Sequence, residues 1–449
     1  MRVSIVGAGY VGLVSGACLA EQGHTVTCID SNEERVERIR SGKAPFFEPG
    51  LDELLASVVG TKLFSTSDFN KAVAESELTL IAVGTPSRDD GSVDLGAIKA
   101  VSRQLGEVIR DKDDFHTVVV KSTVPPGTTE NVVGAEIEAA SGKQRRTDFG
   151  LGMNPEFLTE GTAVADFREP DRIVIGGADG RTLLAQRELY LSFTEAPILE
   201  VGNSTAEMIK YMSNALLATM ISFANEFADL CTAIGDIDAN DVQRGVQLSR
   251  YLTAMPEQPS RTAQIASFVE AGCGFGGSCL PKDVSGLASL GRSKNVPMRM
   301  LESVLEINAE RPARMLELLK ARIPDLKGKR VAVLGLSFRP DTNDMRESPA
   351  IPIIERLAGE GADIVAFDPE AIEEAKHVLS GTKLDYADNL RDCVDGADAV
   401  VLVTRWDDFR ALPETLKSLD QEPLVVDGRR LLEPGSVSNY VGIGGTRDA

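Results

Sequence analysis

The stretch GFGGSCLPKD, residues 274–283, sets a cysteine, a lysine and an aspartate within about one helical turn, directly after a run of glycines. Pro281 suits the first turn of a helix, where its missing N–H has no intrahelical partner to lose. A thiol at Cys279 would then feel the partial positive charge of the helix N-terminus and the ammonium of Lys282, and both favour the nucleophilic thiolate. Asp283 comes one turn later on the same face. Spacing alone leaves two readings level: a working nucleophile, or a small buried thiol in a Gly-rich turn. Burial is the expectation for Cys18, Cys28, Cys231, Cys273 and Cys393.

A second chemistry stands at the chain start. Gly7-Ala8-Gly9-Tyr10-Val11-Gly12 comes after a β-branched run and opens an apolar helix, and Asp30 ends the next strand-like run. The first glycine permits a tight turn, the second lets the backbone approach a pyrophosphate, and the third allows close helix–strand packing, with the phosphates on the helix N-terminus. A carboxylate at Asp30 accepts from ribose hydroxyls and repels a 2′-phosphate, so the expected dinucleotide is NAD rather than NADP.

Elsewhere the chemistry-bearing pairs are less telling. Lys210 and Asn214 stand one turn apart in a helical pattern, with a solvated helix charge as the minor alternative reading of Lys210. Glu156 and Glu160 have the same spacing and would otherwise be an exposed helix edge. Six scattered cysteines without a CxxC pair, and three histidines, make neither a disulfide framework nor a zinc site, so no metal is expected. A formal charge of −21 repels nucleic acid and anionic membranes, and no long uncharged apolar run appears. The first residues pass straight into a strand pattern without signal-peptide features, which gives the cytoplasm as the expected compartment.

These residues need a scaffold, and the chain of 449 residues is long enough for two or three domains. Strand-like runs at 2–7, 25–30, 78–86, 116–127, 149–157 and 171–177 alternate with helix-length segments, the mark of a parallel, doubly wound α/β sheet. From Ser204 to Ile234 the sequence lacks Gly and Pro and keeps helical apolar spacing, predicting one central helix of about 45 Å. After Lys327 the plan repeats: RVAVLGLSF (330–338) echoes RVSIVGAGY, with further echoes at 362–370 and 398–406. The expected layout is therefore two Rossmann-like domains, 1–202 and 327–449, joined by a helical segment at 203–326 that carries Cys279. The final VSNYVGIGGTRDA reads as a loosely held tail.

GFGGSCLPKD resembles the signature of the UDP-glucose/GDP-mannose dehydrogenase family, and KSTVPPGT (121–128), MNPEFLTEGTA (153–163), PDRIVIGG (170–177), AEMIKYMSN (206–214) and SFRPDTNDMRES (337–348) are similar to family motifs in family order. The resemblance runs from residue 1 to about 432. It implies oxidation of the C6 alcohol of a nucleotide-bound hexose to a carboxylate, with two NAD and one water consumed. A thiolate explains the second oxidation, because an aldehyde has no hydride to give until a nucleophile adds to it.

By this resemblance Cys279 is the nucleophile, and Lys210 and Asn214 stabilise oxyanions at C6. Asp283, Thr123 and Glu160 position or activate water, with Glu156 supporting the lysine. Gly7, Gly9, Tyr10, Val11, Gly12, Asp30, Thr85, Thr123, Glu160, Lys282 and Arg346 are expected at the cofactor. Phe157, Leu158, Glu160, Lys210, Asn214, Arg250, Tyr251, Arg261, Gly276, Phe338, Arg339 and Arg429 are expected at the nucleotide sugar. The glycines before Cys279 are expected to leave room for C6 and the nicotinamide beside the sulfur.

The segment 253–267 is longer than expected before the signature. VVDGRRLLEP resembles the UDP-glucose branch, while GGSCLPKDV, HTVVVKSTVPPGT and DFGLGMNPEF lean to GDP-mannose, and Ser278 argues against N-acetylhexosamine sugars; the expected order is UDP-glucose, then GDP-mannose, then another hexose. Two readings of other classes are a two-electron hydroxyacid-type dehydrogenase and a non-catalytic nucleotide-sugar binder. The apolar girth of the central helix predicts a homodimer.

Overall fold

The run RVSIV forms β1 (Arg2–Val6), buried beyond its first residue because strands lie on both sides of it. The computed structural model describes residues 1–192, 196–249, 267–433 and 435–445, and the chain divides into two units, Met1–Ser213 and Asn214–Ala449. Arg250, Tyr251, Arg261 and nearly all of segment 253–267 lie outside the described residues.

In the first unit β1 is succeeded by β2 (Thr25–Ile29), β3 (Leu63–Thr66), β4 (Leu78–Ile81), β5 (His116–Val120), β6 (Phe149–Met153), β7 (Ile173–Gly177) and β8 (Ile198–Val201). Among the described residues these make one sheet in the order β3-β2-β1-β4-β5-β6-β7-β8. Every neighbouring pair is parallel except β6 with β7, where Gly152 faces Gly177 and Met153 faces Gly176 in antiparallel register. The expected doubly wound architecture holds with that one reversal. The strands stop short of the apolar runs that predicted them, at Ile81, Val120 and Met153, and the rest of those runs holds Pro86, Pro125, Pro126 and Pro155, which have no N–H to give a central ladder. Each of these strands gives way to a loop at the sheet's carboxyl edge, where α/β sheets bind ligands.

The second sheet, in the unit Asn214–Ala449, contains β9 (Arg330–Leu334), β10 (Asp363–Phe367), β11 (Asp385–Tyr386), β12 (Ala399–Leu402), β13 (Leu424–Asp427) and β14 (Tyr440–Gly442) in the all-parallel order β11-β10-β9-β12-β13-β14. The internal echo is structural. Gly7, at φ +97°, donates its N–H to Ile29 O at 2.8 Å, and Gly335, at φ +95°, donates to Phe367 O at 2.9 Å. Each glycine turns the chain out of the first strand of its unit in a conformation that a side chain would strain.

As far as residue 445 the C-terminal segment corrects the expected loose tail, and 446–449 lie outside the described residues. Tyr440–Gly442 adds β14 alongside β13, Tyr440 and Ile443 are buried, and Gly444 O accepts from Ala239 N at 2.9 Å. Apolar residues on a segment able to complete a sheet edge outweigh the loss of chain entropy that frees most termini.

The central helix spans Asn203–Ile234, 32 residues or about 48 Å at 1.5 Å per residue. Ala206, Tyr211, Ala218, Ala224 and Ala228 are buried, yet Met212, Leu216, Phe223, Phe227, Leu230 and Ile234 are each at least 45 % exposed. An apolar stripe of that length left to solvent is unusual for a monomer. Among the described residues no helix is long and apolar enough to cross a membrane.

Candidate active site

The cofactor turn is built by crowding at two glycines and openness at a third. A Cβ on Gly7 would lie 2.7 Å from Ala82 O, and one on Gly12 would lie 1.9 Å from Gly7 O. Gly9 faces nothing within 4 Å, so the fold itself does not demand glycine there. The open side lies at the start of the helix Tyr10–Glu21, where a pyrophosphate would meet exposed N–H groups. Asp30 completes the arrangement. Its Oδ2 accepts from Ala8 N and Arg35 Nη1, both at 3.0 Å, and its Oδ1 accepts from Asn32 N at 3.0 Å. The carboxylate is thus drawn against the turn, and Arg35, the cation nearest to it that would welcome a 2′-phosphate, is already paired. These residues fit NAD.

The corresponding Asp368 of the second unit shows what the repeat has lost. It is fully buried and saturated by Leu336 N, Ser337 N, Ser337 Oγ, Trp406 Nε1, Glu370 N and Ala371 N, with no capacity left for a ribose. The same strand-end aspartate accepts from three donors in one unit and from six in the other.

Loops at the carboxyl edge of the first sheet carry the next group. Thr85 Oγ1 donates to Thr123 O at 2.9 Å, tying the loop after β4 to that after β5. Glu207 of the central helix accepts from Gly127 N at 2.5 Å, Thr129 N at 2.7 Å and Thr129 Oγ1 at 2.6 Å, which fixes the KSTVPPGT loop. Glu156 and Glu160 are not a helix edge: both lie in the irregular segment after β6. Glu156 is buried, forms a 2.9 Å ion pair with Lys210 Nζ and accepts from Leu158 N at 2.7 Å. The Lys210 ammonium also lies 5.6 Å from the centre of the Phe157 ring. Lys210 is therefore a buried, paired cation and not a solvated surface charge.

A buried lysine to which the sequence pattern gave no role stands behind this pair. Lys121 Nζ donates to Asn154 Oδ1 at 2.9 Å, and the same oxygen accepts from Tyr190 OH at 2.5 Å. Burial pushes the Lys121 ammonium down to about 8, against the attraction of Glu156 and with the repulsion of Lys210. Burial alone would raise the Glu156 carboxyl, but Lys210, the Leu158 N–H and Lys121 together hold it below the usual range. Two ammonium groups thus share one carboxylate away from water, leaving a net positive charge in this buried cluster.

The second unit holds the thiol. Cys279 caps the helix Leu280–Ser293, with Pro281 in its first turn, and it is the only one of the six cysteines that is not buried. Burial pushes Cys18, Cys28 and Cys393 up to about 12 and also raises Cys273, whose Sγ donates to Val403 O at 3.4 Å. Ser278 Oγ lies 3.5 Å from Cys279 Sγ. Asp283, one turn on, is 1 % exposed, and its two oxygens are held by Asn214 Nδ2 and Lys282 Nζ, each at 2.6 Å. Lys210 and Asn214, one turn apart on the central helix, serve different partners, Glu156 in the first unit and Asp283 in the second.

The glycines before Cys279 are also required by crowding within the chain. A Cβ on Gly276 would sit 2.1 Å from Glu347 O, and one on Gly277, at φ +82°, 2.7 Å from the Phe338 ring. It is the chain's own backbone and Phe338 that crowd this turn, which Gly277 N secures on Arg346 O at 2.8 Å. Asn308 adds an amide clamp, accepting from Phe275 N at 2.8 Å and donating to Phe275 O at 3.0 Å. Arg311, buried and paired with Asp229, donates to Gly272 O at 3.2 Å. Nothing in the sequence pattern singled out Asn308 or Arg311, which sit in an ordinary helical run.

Of the residues expected at the nucleotide sugar, Phe338 and Arg339 lie just past β9 at its carboxyl end, both half-buried. Arg429 lies just past β13, with Nε donating to Val403 O at 2.6 Å and its backbone N–H to Asp427 Oδ1 at 2.9 Å. Arg346 is exposed and forked on Asp344, at 2.5 Å for its shortest contact. Among the described residues no group of His, Cys, Asp and Glu is arranged to hold a metal.

Comparison with known proteins matches three parts of the chain to one family. Residues 1–194 match the NAD binding domain of the UDP-glucose/GDP-mannose dehydrogenase family, 204–310 its central domain and 332–434 its UDP binding domain. A UDP-glucose 6-dehydrogenase of Haloferax volcanii is 42% identical over 436 residues, covering 96% of this chain and 97% of its own. A GDP-mannose 6-dehydrogenase of Pseudomonas putida is 38% identical over 425 residues, covering 92% and 93%. The solved structure of a UDP-glucose dehydrogenase from Pyrobaculum islandicum superposes with a TM-score of 0.89 at 38% identity, covering 98% of this chain and 97% of that one.

Proposed function

From the premise that the chain belongs to the UDP-glucose/GDP-mannose dehydrogenase family and is an NAD-dependent nucleotide-sugar 6-dehydrogenase, we propose that its substrate is UDP-glucose and its product UDP-glucuronate. The observation that carries the chemistry is Cys279: the one unburied thiol, at a helix N-terminus, one turn from a buried aspartate held on both oxygens. UDP-glucose is favoured by the relatives so named at 42% and 40% identity; the GDP-mannose enzyme at 38% makes GDP-mannose the second reading.

Residues 1–202 hold the cofactor through Gly7, Gly9, Gly12 and Asp30, and 327–449 hold the nucleotide, with Phe338, Arg339 and Arg429 as its contacts. Bound NAD supplies the hydride acceptor, twice per sugar. The balance is one alcohol, one water and two NAD⁺ giving one carboxylate, two NADH and three protons. Cys279 Sγ adds to the C6 aldehyde carbon as a bond to its oxygen becomes single, and the resulting thiohemiacetal is oxidised to a thioester on the same sulfur. Lys210 and Asn214 stabilise the oxyanion of each tetrahedral species. Water then attacks the thioester carbon, Glu160 or Asp283 takes its proton, and Sγ leaves as thiolate.

The test is to supply NAD and a panel of UDP- and GDP-hexoses and count NADH per sugar. Two per UDP-glucose supports the reading; one per sugar, or full turnover in Cys279→Ser, sinks the thioester route, and preference for GDP-mannose replaces the substrate. The exposed apolar stripe of the central helix supports a homodimer, and sedimentation as a monomer at micromolar concentration would contradict that part.

A further inference from the structure

Glu48 is a buried carboxylate that neither the sequence motifs nor the reaction assigns. It lies in FFEPG, between the helices Glu33–Arg40 and Leu51–Val58. Its Oε2 accepts from the hydroxyl of Tyr10 and from Gly161 N at 2.8 Å, and its Oε1 accepts from Ala163 N at 2.7 Å. The triangle closes on itself, because Gly161 N also lies 3.2 Å from Tyr10 OH. The Tyr10 ring packs on Phe46, 5.0 Å between centroids, so the residue that opens the cofactor helix is held on both its ring and its hydroxyl. Gly161, at φ +91°, comes directly after Glu160.

We propose that Glu48 is a positioning residue that couples the cofactor turn at Tyr10 to the turn carrying Glu160, so that cofactor binding and the placement of the Glu160 carboxylate change together. The physical ground is that three donors from two segments far apart in sequence, Tyr10 and 161–163, converge on one carboxylate shielded from water. A shift of Tyr10 therefore moves or breaks the bond to Gly161, and a buried donor left unmatched costs more than an exposed one. The coupling rests on the dehydrogenase reading for its purpose, but its geometry stands within the first unit alone.

The experiment uses the full chain with NAD and no sugar. Titration calorimetry gives the Kd for NAD, and peptide-resolved amide exchange tracks residues 159–164 with and without NAD. Wild type should show slower exchange in this peptide when NAD binds. Tyr10→Phe removes one donor and should weaken NAD about three- to tenfold while reducing the NAD-induced protection of the peptide. Glu48→Gln turns one acceptor into a donor facing donors, should weaken NAD by at least about tenfold, and should leave Tyr10→Phe with little further effect in the double variant. Glu48→Asp should restore part of the affinity. Lowered thermal stability with unchanged Kd and unchanged NAD-induced protection overturns the proposal, as does full additivity of the two substitutions. Should Glu48→Gln fail to fold, Tyr10→Phe decides alone. A protein that binds NAD with this coupling but oxidises no nucleotide sugar sinks the substrate reading and leaves the coupling standing.

Discussion

Asn214 Nδ2 donates a 2.6 Å hydrogen bond to Asp283 Oδ2, joining the central helix to the helix that Cys279 caps. Lys282 holds the other oxygen, so the carboxylate is fixed in place on both sides.

Removing this carboxylate should therefore expose its task. Asp283→Asn is expected to lower kcat by about a hundredfold or more, within the range for general acid–base groups, with a smaller effect on the KM for sugar. If Asp283 serves thioester hydrolysis, intact-protein mass spectrometry after quenching will show a sugar adduct on Cys279 that wild type does not accumulate. An unmodified protein with normal kcat would exclude the role.

Lys121 makes a pH-dependent prediction. Its folded-state value is lowered to about 8 from the 10.5 of a free lysine, so between these limits the unfolded chain binds more protons and folding stability rises with pH. The cost of burying the charge is present in full below about pH 8 and is relieved by about pH 10.5, roughly 3 kcal/mol in all. Lys121→Met should be free of this slope. Parallel denaturation curves for the two proteins from pH 7 to 10.5 would refute the assignment.

The glycines separate into two kinds by what surrounds them. Gly276→Ala forces a Cβ to 2.1 Å from Glu347 O and should cost several kcal/mol, read as a lowered denaturation midpoint. Gly9→Ala meets nothing within 4 Å and should leave that midpoint within about 0.5 kcal/mol while weakening NAD. Equal destabilisation by both would contradict this account of the cofactor turn.

The C-terminal strand should behave as core. Ile443 is 2 % exposed, and Ile443→Ala should cost about 2–5 kcal/mol in chemical denaturation. A loss below about 0.5 kcal/mol would return this segment to the status of a tail.

Short-range pattern made much of the protein legible. The turn at Gly7–Gly12 and the strand end at Asp30 are close in sequence, and Gly12 is demanded by the turn itself through Gly7 O, whereas the crowding at Gly7 comes from Ala82, far along the chain. The central helix was visible because its length without Gly or Pro leaves few alternatives, and the second sheet because its strands repeat the spacing of the first. Cys279 could be placed at a helix start from Pro281, but not told from a buried thiol until its exposure was set against that of the other five.

What only tertiary structure decided is the company each group keeps. Asp30 and Asp368 follow equivalent strands, yet one accepts from three donors and the other is consumed by six, most of them supplied by the distant loops around Leu336 and Trp406. Glu48 and Lys121 gave no signal because a lone charged residue in a loop usually points to water; here packing removed the water and made their partners obligatory. The chain order of residues determined which elements form and where the chemistry-bearing side chains start. Burial, which depends on residues far apart in sequence, determined which of those side chains are paired, perturbed and available.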